Sequence, residues 1–375
     1  MSRFLFFIQG DGRGHMTQAI ALKQILEEEG HTVCEFLAGK KANGSIPDYV
    51  KEKARCPVSS FESPGFVMDA QNKAIRLGRS VWESLFRVKE YRRSFEFIRQ
   101  KMLEHQPDII INFYEPLIGL FYFFNDPPIP LVSFAHQYIY NHPGFEFPVR
   151  GRIKDKIAIK FYTQLTSLRS KKQFALSFYP INDNVRRSII GTPPLLRREL
   201  FEQKTETRNF ILIYLLKGGY REDIIEWHKK NPQVELHCFT DNNQEYDTVM
   251  YSANLSFHKL NDKNFLEKMA AAKGLVTTAG FESVCEAMYL GKPIMMVPVQ
   301  GHFEQFCNAR DAAKAGAGIY SDAFHIEMFF DYLSAGKWDH QQFRLWVDSA
   351  KDKILQHLDE LLQKAEPYNP MVPAF

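Results

Sequence analysis

Two short stretches of the chain hold residues whose types and spacing suit them to chemistry. In the first, Gly10-Asp11-Gly12-Arg13-Gly14-His15 follows the apolar run Phe4 to Ile8 and precedes a segment with helical spacing. Glycines let a backbone turn sharply and approach a ligand closely. A histidine at the start of a helix, His15 here, can take a proton from a hydroxyl or hydrogen-bond an acceptor or a diphosphate; its plainer role is to cap the helix. Asp11 is the competing base, but a carboxylate beside a guanidinium has a lowered pKa, so Arg13 nearby makes it the poorer one. The spacing disfavours a dinucleotide fingerprint, whose sixth position is glycine, and excludes a P-loop, which needs Gly-Lys-Ser/Thr.

The second stretch runs from Thr277 to Gly318. An apolar strand ends at Ala279-Gly280, where a missing side chain admits a ligand to the backbone. A helix begins at once, and its unpaired N–H groups and positive dipole end suit a diphosphate. Ser283 lies in its first turn and adds a hydroxyl. Glu286, one turn further on the same face, can accept from two ribose hydroxyls. A second strand leads to a loop where Glu304, Gln305 and Asn308 offer acceptors and donors for sugar hydroxyls.

The elements that must position these residues repeat along the chain. Strand, glycine turn, helix Thr17 to Glu29 and strand open a doubly wound parallel sheet, continued by DIIINFYEP and PLVSFAH. Glu115 and His136 then stand at carboxyl ends of the third and fourth strands, as structural or acceptor-side residues. The pattern restarts after residue 205: NFILIYLL ends in Lys217-Gly218-Gly219, and VELHCFT, LSFHKL, GLVTT and PIMMVPV alternate with helices. The fold class is therefore α/β, with two Rossmann-like domains. We expect an N-terminal domain over 1–180, a linker over 181–206 broken by Thr192-Pro193-Pro194, and a second domain over 207–340. Helical residues 341–375 are expected to pack back on the first domain. Such sheets bind ligands at the carboxyl ends of their strands, and two of them create a central cleft.

Composition bounds the rest. Five scattered cysteines among 375 residues, with no CxxC pair, suit a reducing, cytoplasmic compartment and argue against a zinc site. The initial apolar run is too short for a secretory signal, and no window approaches the length of a spanning helix. Thirty-two Phe imply aromatic-rich cores or an exposed apolar surface. Residues 1–180 carry 25 Lys and Arg against 18 Asp and Glu, whereas the remainder carries 22 against 26. The excess concentrates in Lys73–Lys101 and Arg150–Lys172, interleaved with Trp82, Phe86, Tyr91, Phe95, Phe97, Phe161 and Tyr162. This pattern suits either an anionic membrane face, peripheral on the inner side, or amphipathic helices with solvated charges. Nucleic acid is disfavoured by the small net charge and the lack of a recognition motif.

The Thr277–Gly318 stretch resembles the donor-binding signature of GT-B glycosyltransferases of the family 28 type, which includes lipid II-forming N-acetylglucosaminyltransferases and diacylglycerol galactosyltransferases. The signature G-x-x-[ST]-x-x-E-A-x-x-x-G-x-P…P…Q-x-x-N-A is matched element by element. Gly10 to His15 resembles the G-G-x-G-H of the same enzymes, with Asp11 in place of a glycine. The resemblance implies a metal-independent sugar transferase with no cofactor beyond a nucleotide-sugar co-substrate, UDP-linked as in those enzymes. It implies Glu286 on the ribose, Gly280 and Ser283 at the diphosphate, Glu304 and Gln305 on the donor sugar, Gly218 in the donor domain, and the base at the loop before the Phe265 helix, near Phe257-His258, unless Phe257 is a core aromatic. Gly12, Arg13 and Gly14 fall on the acceptor side. No D-x-D is present, since Asp241-Asn242-Asn243 lacks the second carboxylate. An inverting attack is expected, with leaving-group charge held by helix N-termini. Rival readings are a nucleotide-sugar 2-epimerase or hydrolase on the same fold and a non-catalytic sugar-nucleotide-binding subunit.

Overall fold

The computed structural model describes residues 1–10, 12–40, 46–63, 88–147, 153–215, 220–240 and 246–364. It forms two compact units, residues 1–197 with the chain from Trp346 onward, and residues 198–345.

The first unit is built on seven parallel strands: β1 (Arg3–Gln9), β2 (Thr32–Lys40), β3 (Val58–Glu62), β4 (Ile109–Phe113), β5 (Leu131–Ala135), β6 (Lys172–Leu176) and β7 (Ile189–Thr192), in the order β3-β2-β1-β4-β5-β6-β7. Helices α1 (Gly14–Glu28), α2 (Asp48–Ala54), α3 (Val88–His105), α4 (Pro116–Asn125) and α5 (Ile153–Thr166) belong to it. A parallel sheet is covered on both faces, so its strands read as continuous apolar runs; all five residues of β4 are buried. Part of the phenylalanine excess fills this core. Phe134 and Phe174 stack on adjacent strands at 4.2 Å and Phe6 on Phe36 at 5.3 Å.

The second unit has β8 (Phe210–Tyr214), β9 (Glu235–Thr240), β10 (Thr248–Ser252), β11 (Leu255–Lys259), β12 (Gly274–Thr277), β13 (Ile294–Met296) and β14 (Gly318–Tyr320), in the order β10-β11-β9-β8-β12-β13-β14. Only β10 runs antiparallel. Its helices are α6 (Arg198–Phe201), α7 (Arg221–Lys230), α8 (Asp262–Ala271), α9 (Phe281–Tyr289), α10 (Phe303–Lys314) and α11 (Ile326–Ala335). Helix α12 (Gln341–Asp348) carries the chain back into the first unit, and α13 (Ala350–Leu362) lies wholly within it.

The units divide after Arg197, inside the 181–206 stretch, but part of that stretch is sheet. Ile189–Thr192 pairs with β6 and closes the first sheet as β7, because an apolar IIGT segment gains more from burial on a sheet edge than from exposure. On the returning segment, Trp346 Nε1 donates to the Ser177 carbonyl at 3.1 Å, Lys351 pairs with Glu28 and Glu29, and Lys172 pairs with Glu360.

In each sheet the strand order reverses beside the first strand of the unit, between β1 and β4 and between β8 and β12. Ligands of open α/β sheets bind outside the carboxyl ends of the strands at such switch points. Both motif stretches leave these ends.

Candidate functional site

At the first switch point, two glycines are required by close backbone packing. The Gly10 N–H donates to the Gly39 carbonyl at 2.7 Å, and a β-carbon on Gly10 would overlap that same oxygen. A β-carbon on Gly39 would overlap the carboxylate of Glu115. Gly12 takes φ +97°, a conformation open to glycine at no steric cost. Asp11 lies outside the described residues. Arg13 is the residue before α1, and its guanidinium lies over the Tyr49 ring at 4.4 Å. Gly14 begins α1, and His15 follows in its first turn.

The His15 ring stacks on Tyr114 at 5.4 Å with planes 27° apart. Burial lowers its pKa to about 4, partly opposed by a hydrogen bond with Gln18. The ring is therefore neutral at neutral pH, which is the form a proton acceptor needs. Tyr114 leaves β4 with φ +60°, a strained conformation for a residue with a side chain, and its hydroxyl is held by Thr163 at 2.8 Å. No sequence signal marks Tyr114 beyond its place at a strand end.

Glu115 and His136 are structural as placed. Glu115 caps α4, accepting from Leu117 N at 2.9 Å and from Ser63 Oγ, and Pro116 fills the first helical position. The buried His136 ring bonds the Leu176 carbonyl through Nδ1 at 2.7 Å, tying the turn after β5 to β6.

At the second switch point, β12 ends at Thr277 and the chain turns through Ala279 at φ +63° into α9 at Gly280. Asn308 Nδ2 donates to the Ala279 carbonyl at 3.3 Å, so α10 braces this strained turn. Ser283 Oγ donates to the Gly280 carbonyl at 3.1 Å and lies 3.3 Å from Thr277 Oγ1. The side chain of Glu286 is buried one turn further along α9. Gln305 Oε1 accepts from Val299 N at 2.9 Å, and His302 caps α10 through the Gln305 N–H. Glu304 stands beside them in the first turn of α10. Gly280, Ser283, Glu286, Glu304, Gln305 and Asn308 are thus gathered on two consecutive strand–helix junctions of one unit.

Two expectations left open by the sequence are narrowed here. Phe257 sits in the core of the second unit, with the Arg221 guanidinium 3.9 Å over its ring, because β11 alternates Leu255 and Phe257 into the apolar cluster. Its ring is enclosed there and is not available to stack on a base. In the basic stretches, Tyr91, Phe95 and Phe97 pack against the first unit's core and Tyr162 is buried, bonding Gln9 Nε2 at 2.9 Å. Of the residues singled out there, Phe161 stays exposed. Trp82, Phe86, Gly218 and Asp241-Asn242-Asn243 lie outside the described residues. Among the described residues no cluster of three or more His, Cys, Asp or Glu is arranged to hold a metal ion, and no helix is long and apolar enough to cross a membrane.

Comparisons with known proteins agree with this architecture. Residues 2–334 match the family model described as Glycosyl transferase family 1. An uncharacterized glycosyltransferase of Methanosarcina acetivorans is 24% identical over 354 residues, covering 84% of each chain. The crystal structure of the glycotransferase of kitacinnamycin superposes with a TM-score of 0.64 at 14% identity, over 97% of this chain and 99% of that one. Phytolacca americana UGT2, solved with UDP-2-fluoro-glucose and pterostilbene, gives 0.62 at 11% identity, over 97% and 100%. At these identities the structures establish a shared fold, the GT-B arrangement of two Rossmann-like units.

Proposed function

The chain belongs to glycosyl transferase family 1 and is a glycosyltransferase, and we propose that it moves a sugar from a UDP-linked donor to an acceptor hydroxyl, inverting the anomeric carbon without a metal ion. The observation that carries this reading is the β12–Gly280–α9 junction, with Glu286 buried one turn beyond it. The α9 N–H groups and Ser283 receive the diphosphate, and the Glu286 carboxylate accepts from the ribose hydroxyls. Glu304 and Gln305 face the donor sugar. The likeness of this stretch to family 28 enzymes supports uracil as the base.

On the acceptor side His15 takes the proton. The acceptor oxygen forms its bond to the anomeric carbon as the bond from that carbon to the diphosphate oxygen breaks. The acceptor proton passes to the imidazole, and UDP leaves with the bonding pair. Helix N-terminal dipoles and hydroxyls supply the stabilisation that a metal gives elsewhere. The basic excess of the N-terminal half supports an acceptor that is lipid-linked or held at an anionic membrane surface.

The test is thermal unfolding of the purified protein against nucleoside diphosphates and nucleotide sugars, with EDTA present. A ligand at a hundred times its dissociation constant adds about 2.7 kcal/mol of stability. A shift with UDP or one UDP-sugar supports the reading. A response that requires Mg²⁺, or that favours another base, overturns its metal-free or uracil part. Hydrolysis or epimerisation of the bound sugar with no transfer to any acceptor assigns the fold to the rival chemistry.

A further inference from the structure

Helix α5 is amphipathic in a way that burial in the first unit leaves incomplete. Ala158, Ile159, Tyr162, Thr163 and Thr166 face inward. On the outer side Ile153, Ile157 and Phe161 are 76%, 58% and 51% exposed. Spaced by four residues, they form one ridge about 12 Å long at 1.5 Å per residue. At about 100° per residue, Lys156 and Lys160 fall on one flank of that ridge and Lys154 on the other, while Asp155 falls on the side facing the protein. The outward arc therefore carries three cations and no carboxylate.

Neighbouring segments extend the same character. The Lys156 ammonium lies 4.8 Å over the Phe147 ring and that of Lys160 5.9 Å from it. A short 3-10 turn, Val185–Arg187, presents Val185 at 87% exposure. Arg187, anchored to the Asn141 carbonyl at 2.6 Å, is close enough to Lys160 to act on its ionisation. Partial burial first, and the like charges of Arg187 and Lys156 after it, hold the Lys160 pKa below its ordinary value. Crowded cations around exposed aliphatic and aromatic side chains are an unfavourable surface in water alone, and anionic headgroups over an acyl layer would satisfy both parts of it.

We propose that the outer face of α5, with the Val185–Arg187 turn, docks this protein on an anionic phospholipid surface. Ile153, Ile157 and Phe161 enter the headgroup–acyl boundary, while Lys154, Lys156, Lys160 and Arg187 meet lipid phosphates. Charge selects this occupant over a second copy of the chain, because two such faces opposed would bring like-charged lysines together. The proposal rests on the reading of a membrane-held acceptor given above and does not depend on which nucleotide the second unit binds.

The experiment is co-sedimentation of the full chain, without nucleotide sugar, with vesicles of phosphatidylcholine alone or with phosphatidylglycerol admixed. The protein is expected to pellet with the anionic vesicles, less so as salt rises, and to stay in solution with neutral ones. Lys156 and Lys160 contribute roughly fivefold each to partitioning, so Lys156→Gln/Lys160→Gln should bind about 25-fold more weakly. Ile157→Ser/Phe161→Ser removes exposed side chains only, so it should fold normally by circular dichroism and also lose vesicle binding. Equal partitioning of wild type and both variants, or equal binding to neutral vesicles, overturns the proposal. Self-association without vesicles that Ile157→Ser/Phe161→Ser abolishes would instead make this a homotypic interface and also overturn it. Because no sugar transfer is read, none of these failures bears on the donor site.

Discussion

Under the proposed function, two polar side chains, Glu286 and His15, should fail in different ways when removed. Glu286 is assigned to binding, and hydrogen bonds to a charged group contribute about 1.5–3 kcal/mol each. Glu286→Ala should therefore weaken UDP binding by tenfold or more, measured by calorimetry. His15→Ala should leave that affinity unchanged and lower kcat by about 10²–10⁴-fold. Equal loss of affinity in both variants would reassign His15 to binding. Fixed helical spacing made Ser283 and Glu286 legible in the sequence, since three residues on a helix put both on one face whatever surrounds them. Tyr114, which stacks on His15, was not legible, because that contact joins strand β4 to helix α1 across about a hundred residues. Phe257 stayed open in the sequence for the matching reason: an aromatic near a strand end is chemically suited to stack on a base, and the strand's alternation in three dimensions is what turns it into the core.

At the scale of elements, the long apolar strands were readable and the short edge strands were not. Strands β1, β4 and β8 are buried runs that no solvated segment resembles. Strands β7 and β14, of four and three residues, take their identity from the neighbour they pair with. The β1–β2 junction is an exacting part of the first sheet. Gly10→Ala would drive a methyl group into the Gly39 carbonyl, backbone against backbone, and should lower the unfolding temperature by several degrees. An unchanged melting temperature would mean the turn opens there at little cost. In the second sheet, His237 and His258 lie on adjacent strands, Nδ1 to Nε2 at 2.9 Å, with Ser256 Oγ within 2.9 Å of both and Thr248 on the far nitrogen of His258. Burial, then the nearby charges of His237 and Lys268, lower the His258 pKa from 6.5 to about 4. Between those values the unfolded chain binds more protons than the folded one, so stability is present above pH 6.5 and is lost as pH falls toward 4. His237 follows the same trend, its own pKa lowered by burial and then by Lys268, with Glu235 on its outer nitrogen opposing that shift in part. The fall in melting temperature on acidification should be smaller in His258→Gln; an identical fall would place its source elsewhere.

For the whole molecule, the family match spans 333 residues and both sheets, and the expected pair of Rossmann-like units is what the chain forms. The boundary between them was the less legible part, because Thr192-Pro193-Pro194 ends a strand and a linker with equal ease. Charge asymmetry was legible as a composition, but its meaning needed the structure. Most of the described aromatic residues of the basic stretches turn inward, and a narrow outward ridge on α5 remains. The return of the chain from Trp346 into the first unit also sets an order of events during synthesis. Residues 198–345 emerge from the ribosome as one uninterrupted unit and can complete their sheet as soon as they are clear. The first unit, though its strands are made earlier, lacks the partners of Lys172, Asp183 and Glu28 until α13 appears. The half of the protein made first is therefore the half finished last. A released chain truncated before residue 346 should show a protease-resistant second unit beside a first unit that is still readily cleaved.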